Sequence, residues 1–171
     1  MRRIAKFHKV SEEQFAKDWI DTFGQIPDRI IKKIYDEIKL PQRATAGSAG
    51  YDFYMPIALQ LIPGDTVKIP TGIRVEMEPD WVLKCYPRSG LGFKYRLQLN
   101  NTVGIIDSDY FYSDNEGHIF SKITNDSNEG KVVELNAGEG FMQGIFIEYG
   151  ITVDDEVTAV RNGGFGSTTK K

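Results

Sequence analysis

The stretch DTVKIPTGIRVEMEPDWVLKCYP, residues 65 to 87, decides the fold class. It contains three short runs rich in β-branched and aromatic residues, and turn formers such as Gly72 and Pro79-Asp80 separate the runs. Runs of this length with turn signals between them are typical of antiparallel strands. The stretch therefore predicts consecutive strands rather than helices.

Runs of the same kind recur through the rest of the chain, about ten residues apart, with Gly, Pro, Asn or Asp between them. Beyond Leu40, no helical periodicity extends over more than a few residues. The runs are YDFYM, IALQL, DTVKIP, GIRVEM, WVLKCY, YRLQL, VGII, HIFSKIT, KVVEL, FMQGIFIEY and DEVTAV. This spacing is typical of a β-sandwich or barrel, so we predict an all-β fold.

The N-terminal part of the chain has a different pattern. Residues 3 to 10 alternate as a strand does, and Ser11-Glu12-Glu13-Gln14 forms a capping box that opens a helix ending near Gly24. Pro27 suits the first position of a second helix. We predict a small helical insertion over about residues 11–38. It should pack apolar side chains on the barrel, namely Phe15, Trp19, Ile30, Ile34 and Ile38.

Length and composition bound the class of protein. The 171 residues carry a net charge of −3, which fits one globular domain and gives no general attraction to nucleic acid. No apolar run approaches the roughly 20 residues of a membrane span, and the N-terminus lacks a signal-peptide pattern. Cys85, the single cysteine, is predicted to be a buried structural thiol. We expect a cytoplasmic protein. His8 and His118 are too far apart in sequence for a zinc pattern.

Five segments contain residues that are unusual in a plain β-domain. They are AGSAGYDF (46–53), PRSGLG (87–92), NTVGIIDSDY (101–110), GEGFMQG (138–144) and RNGGFGSTT (161–169). In the second segment, the Arg88 guanidinium, the Ser89 hydroxyl and glycine N–H groups suit a phosphate. In the third, Asp107 follows two isoleucines, and a fixed, partly desolvated carboxylate is a candidate general base.

Each segment taken alone also has a purely structural interpretation. Asp52 could be a solvated turn residue, PRSGLG an ordinary glycine-rich turn, and Asp107 the first residue of a turn. Gln143 could be a hydrogen-bonded strand residue. The tail, residues 161–171, could be a flap whose aromatic ring covers a flat base, or a disordered end. The residues by themselves leave these alternatives open.

The order of the five segments resembles the five sequential motifs of the homotrimeric dUTP pyrophosphatase (dUTPase) family. The resemblance runs from Leu40 to Thr169, and PRSGLG, GIIDSDY and GFGST are its most specific parts. It implies a jelly-roll-like β-barrel over residues 1–160, a flexible flap over residues 161–171, and a trimer whose active sites are shared among subunits. The implied reaction is the hydrolysis of dUTP to dUMP and pyrophosphate with Mg²⁺.

The resemblance also implies roles for single residues. Asp107 matches the catalytic base that activates water for attack on the α-phosphorus, and Asp52 matches a carboxylate that holds water around Mg²⁺. Tyr110 would pack under the sugar and exclude a 2′-hydroxyl, while Asn101 would recognise the uracil edge and Phe165 would stack over the base. Implied phosphate contacts are Arg88, Ser89, Gly90, Gln143, Arg161 and Ser167, and further implied substrate-binding residues are Ile105, Ile106, Phe120 and Gly166.

Three features depart from the family pattern. Six residues, FYSDNE at 111–116, stand where the family usually has one; Asn162 follows Arg161 where a glycine is common; and the helical insertion 11–38 is unusual. Two other functions stay open. One is a dCTP deaminase of the same fold. The other is a nucleotide-gated regulator that binds a protein partner through residues 111–116 or 11–38.

Overall fold

The structure, a computed structural model, describes residues 1–163. Its helices are α1 (Glu12–Phe23), α2 (Asp28–Glu37) and α3 (Ser89–Tyr95), with a 3-10 helix at Ser108–Tyr112. Its strands are β1 (Ala5–Lys9), β2 (Gln42–Arg43), β3 (Tyr51–Tyr54), β4 (Leu59–Leu61), β5 (Thr66–Pro70), β6 (Ile73–Met77), β7 (Trp81–Pro87), β8 (Leu97–Leu99), β9 (Gly104–Ile106), β10 (Phe120–Asn125), β11 (Val133–Leu135) and β12 (Gly140–Glu148). This content confirms the all-β prediction with a helical insertion near the N-terminus.

The strands pair antiparallel throughout the described chain. The largest sheet has the order β2-β3-β12-β7-β9, and a second has the order β5-β10-β8. Two smaller pairs, β1 with β6 and β4 with β11, complete the strand pairing. The long strand β12 lies between β3 and β7, so side chains from the first, second and fourth segments meet on neighbouring strands.

The core is formed by the inward-facing residues of these strands. Alternation along each strand places one face in the interior, as the pattern of β6 shows, with Ile73, Val75 and Met77 buried. The largest fully buried side chains of this core are Phe53, Met55, Ile69, Leu83, Ile119, Ile123, Leu135, Phe141 and Met142. The single cysteine belongs to it as well. Cys85 is buried, which confirms the predicted buried thiol, and burial raises the pKa of the thiol to about 12.

The helical insertion packs around a smaller core of its own. Phe15 and Trp19 on α1 are buried there, as predicted, together with Val10 and Ile31. The prediction for Ile30 is wrong, because that side chain is 42% exposed whereas Ile31 is 2% exposed. Neighbouring side chains on a helix point about 100° apart, so when Ile31 faces the core Ile30 faces the solvent. Ile34 and Ile38 pack partly buried against this cluster.

Two other differences concern the β region. PRSGLG does not form an open turn, because the Arg88 carbonyl accepts hydrogen bonds from the Leu91 and Gly92 N–H groups at 3.0 Å and starts α3. The run DEVTAV at 155–160 forms no strand, and all of its residues are exposed. In residues 1–163, no helix is long and apolar enough to cross a membrane.

Candidate active site

The first group of predicted site residues lies on three neighbouring strands. Asp52 on β3 is paired with Gln143 on β12, and Gln143 is paired with Tyr86 on β7, one residue before Pro87 and two before Arg88. The Arg88 Nε atom lies 3.4 Å from the Asp52 Oδ1 atom. We call Asp52, Arg88, Ser89, Gly90 and Gln143 the strand half-site.

Glycines make this close packing possible. A Cβ atom on Gly50 would lie 2.7 Å from the Gln143 Oε1 atom, and one on Gly140 would lie 2.9 Å from the Arg88 Nη1 atom. The small residues of AGSAGYDF and GEGFMQG therefore leave room for the polar side chains beside them. The Arg88 Nη1 atom also donates to the Gly140 carbonyl oxygen at 3.3 Å, which holds the guanidinium over β12.

Ser89 and Gly90 form the first turn of α3, and both are exposed. The Arg88 side chain is 44% exposed and that of Asp52 17%. The half-site thus presents a guanidinium, a hydroxyl, an amide and a carboxylate at the surface. The first three suit the oxygens of a phosphate chain, and the carboxylate suits water bound to a hard cation.

The second group of predicted residues surrounds a cleft of about 470 Å³. Asn101, Ile106 and Phe120, three of the predicted substrate-binding residues, line it. Ile105 does not line it. Successive strand residues face opposite sides, so Ile105 points away from the cleft with 52% of its surface exposed. The substrate contact of Ile105 stays a prediction.

Asp107 and Tyr110 follow directly at the end of β9. Asp107 precedes the 3-10 helix, and Tyr110 within that helix is 6% exposed. The Tyr110 hydroxyl donates to the His118 carbonyl oxygen at 2.7 Å and accepts from the Asn115 Nδ2 atom at 2.9 Å. Burial raises the pKa of Tyr110. We call the cleft together with Asp107 and Tyr110 the pocket half-site.

Arg161 lies in the pocket half-site of its own chain. Its Nη2 atom donates to the Asp107 Oδ2 atom at 2.5 Å, and its Nε atom donates to the Asp109 Oδ1 atom at 2.9 Å. The structure therefore places Arg161 beside the candidate base and not with Arg88. Phe165, Gly166 and Ser167 lie outside the described residues.

Asp107 of the pocket half-site and Arg88 of the strand half-site lie at opposite ends of β7. Strand β7 pairs with β9 through Leu83 opposite Ile106 and Cys85 opposite Gly104. Continuing this register places Asp107 near Val82, whereas Arg88 lies just past the other end of β7. The strand between Val82 and Arg88 spans roughly 20 Å at about 3.3 Å per residue. A triphosphate is much shorter than this backbone separation between Asp107 and Arg88.

The sequence interpretation missed several residues that shape the pocket half-site. Lys68 and Lys122 line the cleft, and the Lys68 Nζ atom lies 4.4 Å from the Phe120 ring centroid. The alternation of DTVKIP puts Lys68 on one face, but the pairing of β5 with β10 that brings it to Phe120 is not visible locally. His118, fully buried beside Tyr110, was considered only as a zinc ligand and was otherwise missed.

Comparisons with known proteins place these features in a family. The family model described as dUTPase matches residues 36–169. A deoxyuridine 5′-triphosphate nucleotidohydrolase of Lactococcus lactis subsp. lactis (strain IL1403) is 41% identical over 134 residues, covering 77% of this chain and 88% of the relative. One of Escherichia coli (strain K12 / DH10B) is 34% identical over 147 residues, covering 81% and 93%.

Solved structures agree with the sequence relatives. The crystal structure of a dUTPase from Streptococcus mutans matches with a TM-score of 0.59 at 37% identity, covering 70% of this chain and 91% of that one. A dUTPase from phage phi11 of S. aureus shares the fold, with a TM-score of 0.59 at 20% identity over 72% of this chain and 92% of that one. Since both the family model and the relatives span most of the chain, this protein belongs to the dUTPase family of nucleotide hydrolases, as its five segments predict.

Proposed function

We propose that this protein hydrolyses dUTP to dUMP and pyrophosphate in active sites that combine the strand half-site of one copy with the pocket half-site of another. The observation that carries the proposal is the separation of Arg88 and Asp107 along β7. Each half-site holds part of the chemistry that a nucleotide triphosphate needs. A homotrimer with shared active sites, as the family resemblance implies, would bring the parts together.

Asp107 is the proposed general base. It stands at the end of the apolar strand β9, partly buried, where its position is fixed by the backbone on both sides. In this role the carboxylate orients a water molecule, takes its proton as the oxygen attacks the α-phosphorus, and pyrophosphate leaves. Arg161 donates to Asp107 in the described chain, and its transfer to a nucleotide would free the carboxylate to accept the proton.

The strand half-site is the proposed triphosphate site. The Arg88 guanidinium is a bidentate donor, the Ser89 hydroxyl and the first-turn N–H groups of α3 add donors, and Gln143 adds an amide. Phosphoryl chemistry depends mainly on such positioning and on charge neutralisation.

We propose Mg²⁺ as the cofactor of this reaction. Residues 1–163 contain no group of three or more potential metal-ligating side chains, which suits a cation held mainly by phosphates and water. Asp52, next to Arg88, is the carboxylate that would hold its water ligands. When bound, Mg²⁺ would neutralise charge on the phosphates, and Arg88 and Gln143 would orient them.

The cleft is the proposed site of the base and sugar. Asn101 offers an amide to the edge of uracil, while Ile106 and Phe120 form apolar walls. The buried Tyr110 ring closes the region next to Asp107, where the sugar would lie, and leaves little room for a 2′-hydroxyl. A pocket that excludes an added group by contact with fixed walls can exceed the discrimination that apolar binding supplies.

The C-terminal segment is the proposed link between copies. Residues 149–160 are exposed, and they include Ile151, Val153, Val157 and Val160, each more than 70% exposed. Apolar side chains in such an exposed stretch favour burial against a neighbouring subunit. We propose that residues 161–171 form a flap, with Phe165 over uracil and Arg161, Gly166 and Ser167 at the phosphates. In that arrangement Arg161 would serve a nucleotide rather than the Asp107 and Asp109 pair.

Product analysis tests the reaction, and mixed assemblies test the shared site. Pyrophosphate and dUMP from dUTP support the proposal, whereas ammonia from dCTP would indicate the deaminase alternative.

Asp107→Asn and Arg88→Ala chains, each inactive alone, should regain about a quarter of wild-type activity when refolded together in equal amounts. Shared sites predict this recovery, because some sites then combine an intact Asp107 with an intact Arg88. No recovery in confirmed mixed trimers would contradict shared sites.

The regulatory alternative stays a prediction. Within 111–116, Tyr112 is 75% exposed and could contact a protein partner, and Phe23 and Ile30 of the helical insertion are partly exposed as well. A nucleotide-dependent pull-down that is lost when Tyr112 is replaced by Ser would favour the regulatory alternative.

We propose a cytoplasmic location, which suits a lone, buried, reduced cysteine.

A further inference from the structure

His118 is a fully buried histidine whose ring is held from both sides. The Gly72 backbone N–H donates to its Nε2 atom at 2.8 Å, and the Asp18 Oδ2 atom lies 2.5 Å from its Nδ1 atom. A backbone N–H can only donate, so Nε2 accepts and Nδ1 carries the proton that is shared with Asp18. The orientation of this ring therefore depends on a carboxylate from helix α1.

Asp18 is itself well held. The Gln14 Nε2 atom donates to the Asp18 Oδ2 atom at 2.9 Å, one helical turn away. Burial opposes ionisation of Asp18, but hydrogen bonds from His118 and Gln14 outweigh it, and the pKa of the carboxyl is lowered. The Phe15 ring packs near the His118 ring at 6.2 Å between centroids. Helix α1 thus presents a rigid carboxylate to His118.

His118 connects this helix to both walls of the pocket half-site. Its carbonyl oxygen accepts the hydroxyl of Tyr110, and its ring lies 4.5 Å from the Phe120 ring, centroid to centroid. Phe120 lines the cleft proposed for the base, and Tyr110 lies beside Asp107.

The segment 111–116 joins the same network. Asn115 donates to the Tyr110 hydroxyl, and the Glu116 carboxylate accepts from both the backbone N–H and the hydroxyl of Ser11, at 2.7 and 2.6 Å. Ser11 is the N-cap of α1, where its hydroxyl also accepts from the Gln14 N–H. The helical insertion and the segment 111–116 are therefore in contact with each other, and each is connected to Tyr110 by hydrogen bonds.

We propose that the helical insertion is part of the sugar pocket, and that Asp18, acting through His118, is a positioning residue that fixes Tyr110 for the rejection of ribonucleotides. The proposal rests on the role of Tyr110 in the function proposed above. Loss of the Asp18 acceptor frees the His118 ring, so that Tyr110 is held only by the His118 backbone, whose carbonyl oxygen accepts from the Tyr110 hydroxyl. A looser Tyr110 ring leaves space for a 2′-hydroxyl.

The test measures kcat/KM for dUTP and for UTP with the full-length protein. Asp18→Ala should lower the ratio of the two by about tenfold, mainly through improved use of UTP. Asp18→Asn, which keeps an oxygen that accepts from His118 Nδ1, should restore most of the selectivity. Asp21→Ala, an exposed aspartate on the same helix, is the matched control and should leave the ratio unchanged.

The ratio separates positioning from stability, because partial unfolding lowers both activities in proportion. If Asp18→Ala does not fold, Tyr110→Phe decides, since it keeps the ring and removes only the hydroxyl that is anchored to His118. An unchanged ratio in Asp18→Ala, or in Tyr110→Phe when it serves as the substitute, overturns the inference. A wild-type protein that does not hydrolyse dUTP, or does not prefer it to UTP, would instead overturn the proposed function.

Discussion

The strand half-site and the pocket half-site are held in place by different means. In the first, Asp52, Arg88 and Gln143 lie on or next to strands whose main-chain pairing sets their positions, and their side-chain contacts are 3.3 to 3.5 Å long. In the second, Tyr110 is held by hydrogen bonds of 2.7 Å to His118, which contacts the helical insertion, and of 2.9 Å to Asn115. One half-site relies on backbone register and the other on side-chain contacts between distant segments.

This difference separates two kinds of mutational effect. Replacing an exposed side chain of the strand half-site leaves the strand ladder intact, so activity should change while stability does not. Replacing a member of the buried network around Tyr110 disturbs packing as well as function. The two half-sites should therefore respond differently to substitution.

Asp107→Asn should lower kcat by roughly 10²–10⁴-fold with nucleotide binding mostly retained, because the amide keeps the shape of the carboxylate but not its basicity. Pyrophosphate release and binding of a non-hydrolysable dUTP analogue measure the two quantities. Asp109→Asn is a close control, since Arg161 donates to both carboxylates. It should turn over at near the wild-type rate. Near wild-type turnover by Asp107→Asn would show that another group is the base.

Arg88→Ala should lower kcat/KM for dUTP by about 10²-fold, the usual cost of one charged donor at a developing phosphate charge. Its unfolding temperature should stay close to that of the wild type, because the Arg88 side chain is 44% exposed and its neighbours lie in an intact sheet. Arg96→Ala is the control at the other end of α3, where Arg96 pairs with Asp126 at 2.9 Å. Equal losses in both variants would argue against a phosphate role for Arg88.

Asp52→Asn should raise the Mg²⁺ concentration needed for half-maximal activity by about tenfold, the lower end of the cost of losing a residue that supports a metal's ligands. A titration of activity with Mg²⁺ measures it. Asp126→Asn, which also removes the acid of an aspartate–arginine pair, controls for loss of the pair itself. A smaller kcat with an unchanged Mg²⁺ requirement would indicate that Asp52 positions Arg88 and does not hold the water ligands of Mg²⁺.

The contrast between the half-sites also explains what the sequence could predict. The strands and the five segments are local patterns, so the alternation of GIRVEM or the order PRSGLG then GIIDSDY suffices to find them. Helix α3 was missed because seven residues carry no periodic stripe, and DEVTAV was overestimated because β-propensity forms a strand only where a partner strand is available. The separation of Arg88 from Asp107 depends on the pairing of β7 with β9, which no short segment encodes.

The contacts of the pocket half-site were harder still to predict from the sequence. The contact between Asp18 and His118 joins residues 100 positions apart, and neither belongs to one of the five segments. Each residue by itself has an ordinary sequence context, an aspartate in an amphipathic helix and a histidine before a strand. Only the packing of the helical insertion on the barrel brings them together.

Glu116→Gln is the smallest of these changes, and it tests whether the two insertions are coupled. Burial opposes ionisation of Glu116, but hydrogen bonds from Ser11 and the positive charge of Arg74 outweigh it, so the pKa of this carboxyl is lowered from 4.5. A carboxyl with a lowered pKa stabilises the folded state above its unfolded value, and this contribution is lost as pH falls through the folded value. At neutral pH, Glu116→Gln should lower Tm by about 2–4 °C, as expected for a domain of this size.

The difference in Tm between the wild type and Glu116→Gln should shrink as pH falls below about 4.5, since the wild-type carboxyl then becomes neutral as well. Thermal unfolding at fixed protein concentration measures it. Glu129→Gln removes an exposed carboxylate that pairs with Lys131, and it should leave Tm unchanged at every pH. A Glu116 effect that is independent of pH would mean that the charge is not what joins the segment 111–116 to the start of α1, and that the shape of the side chain alone maintains the contact.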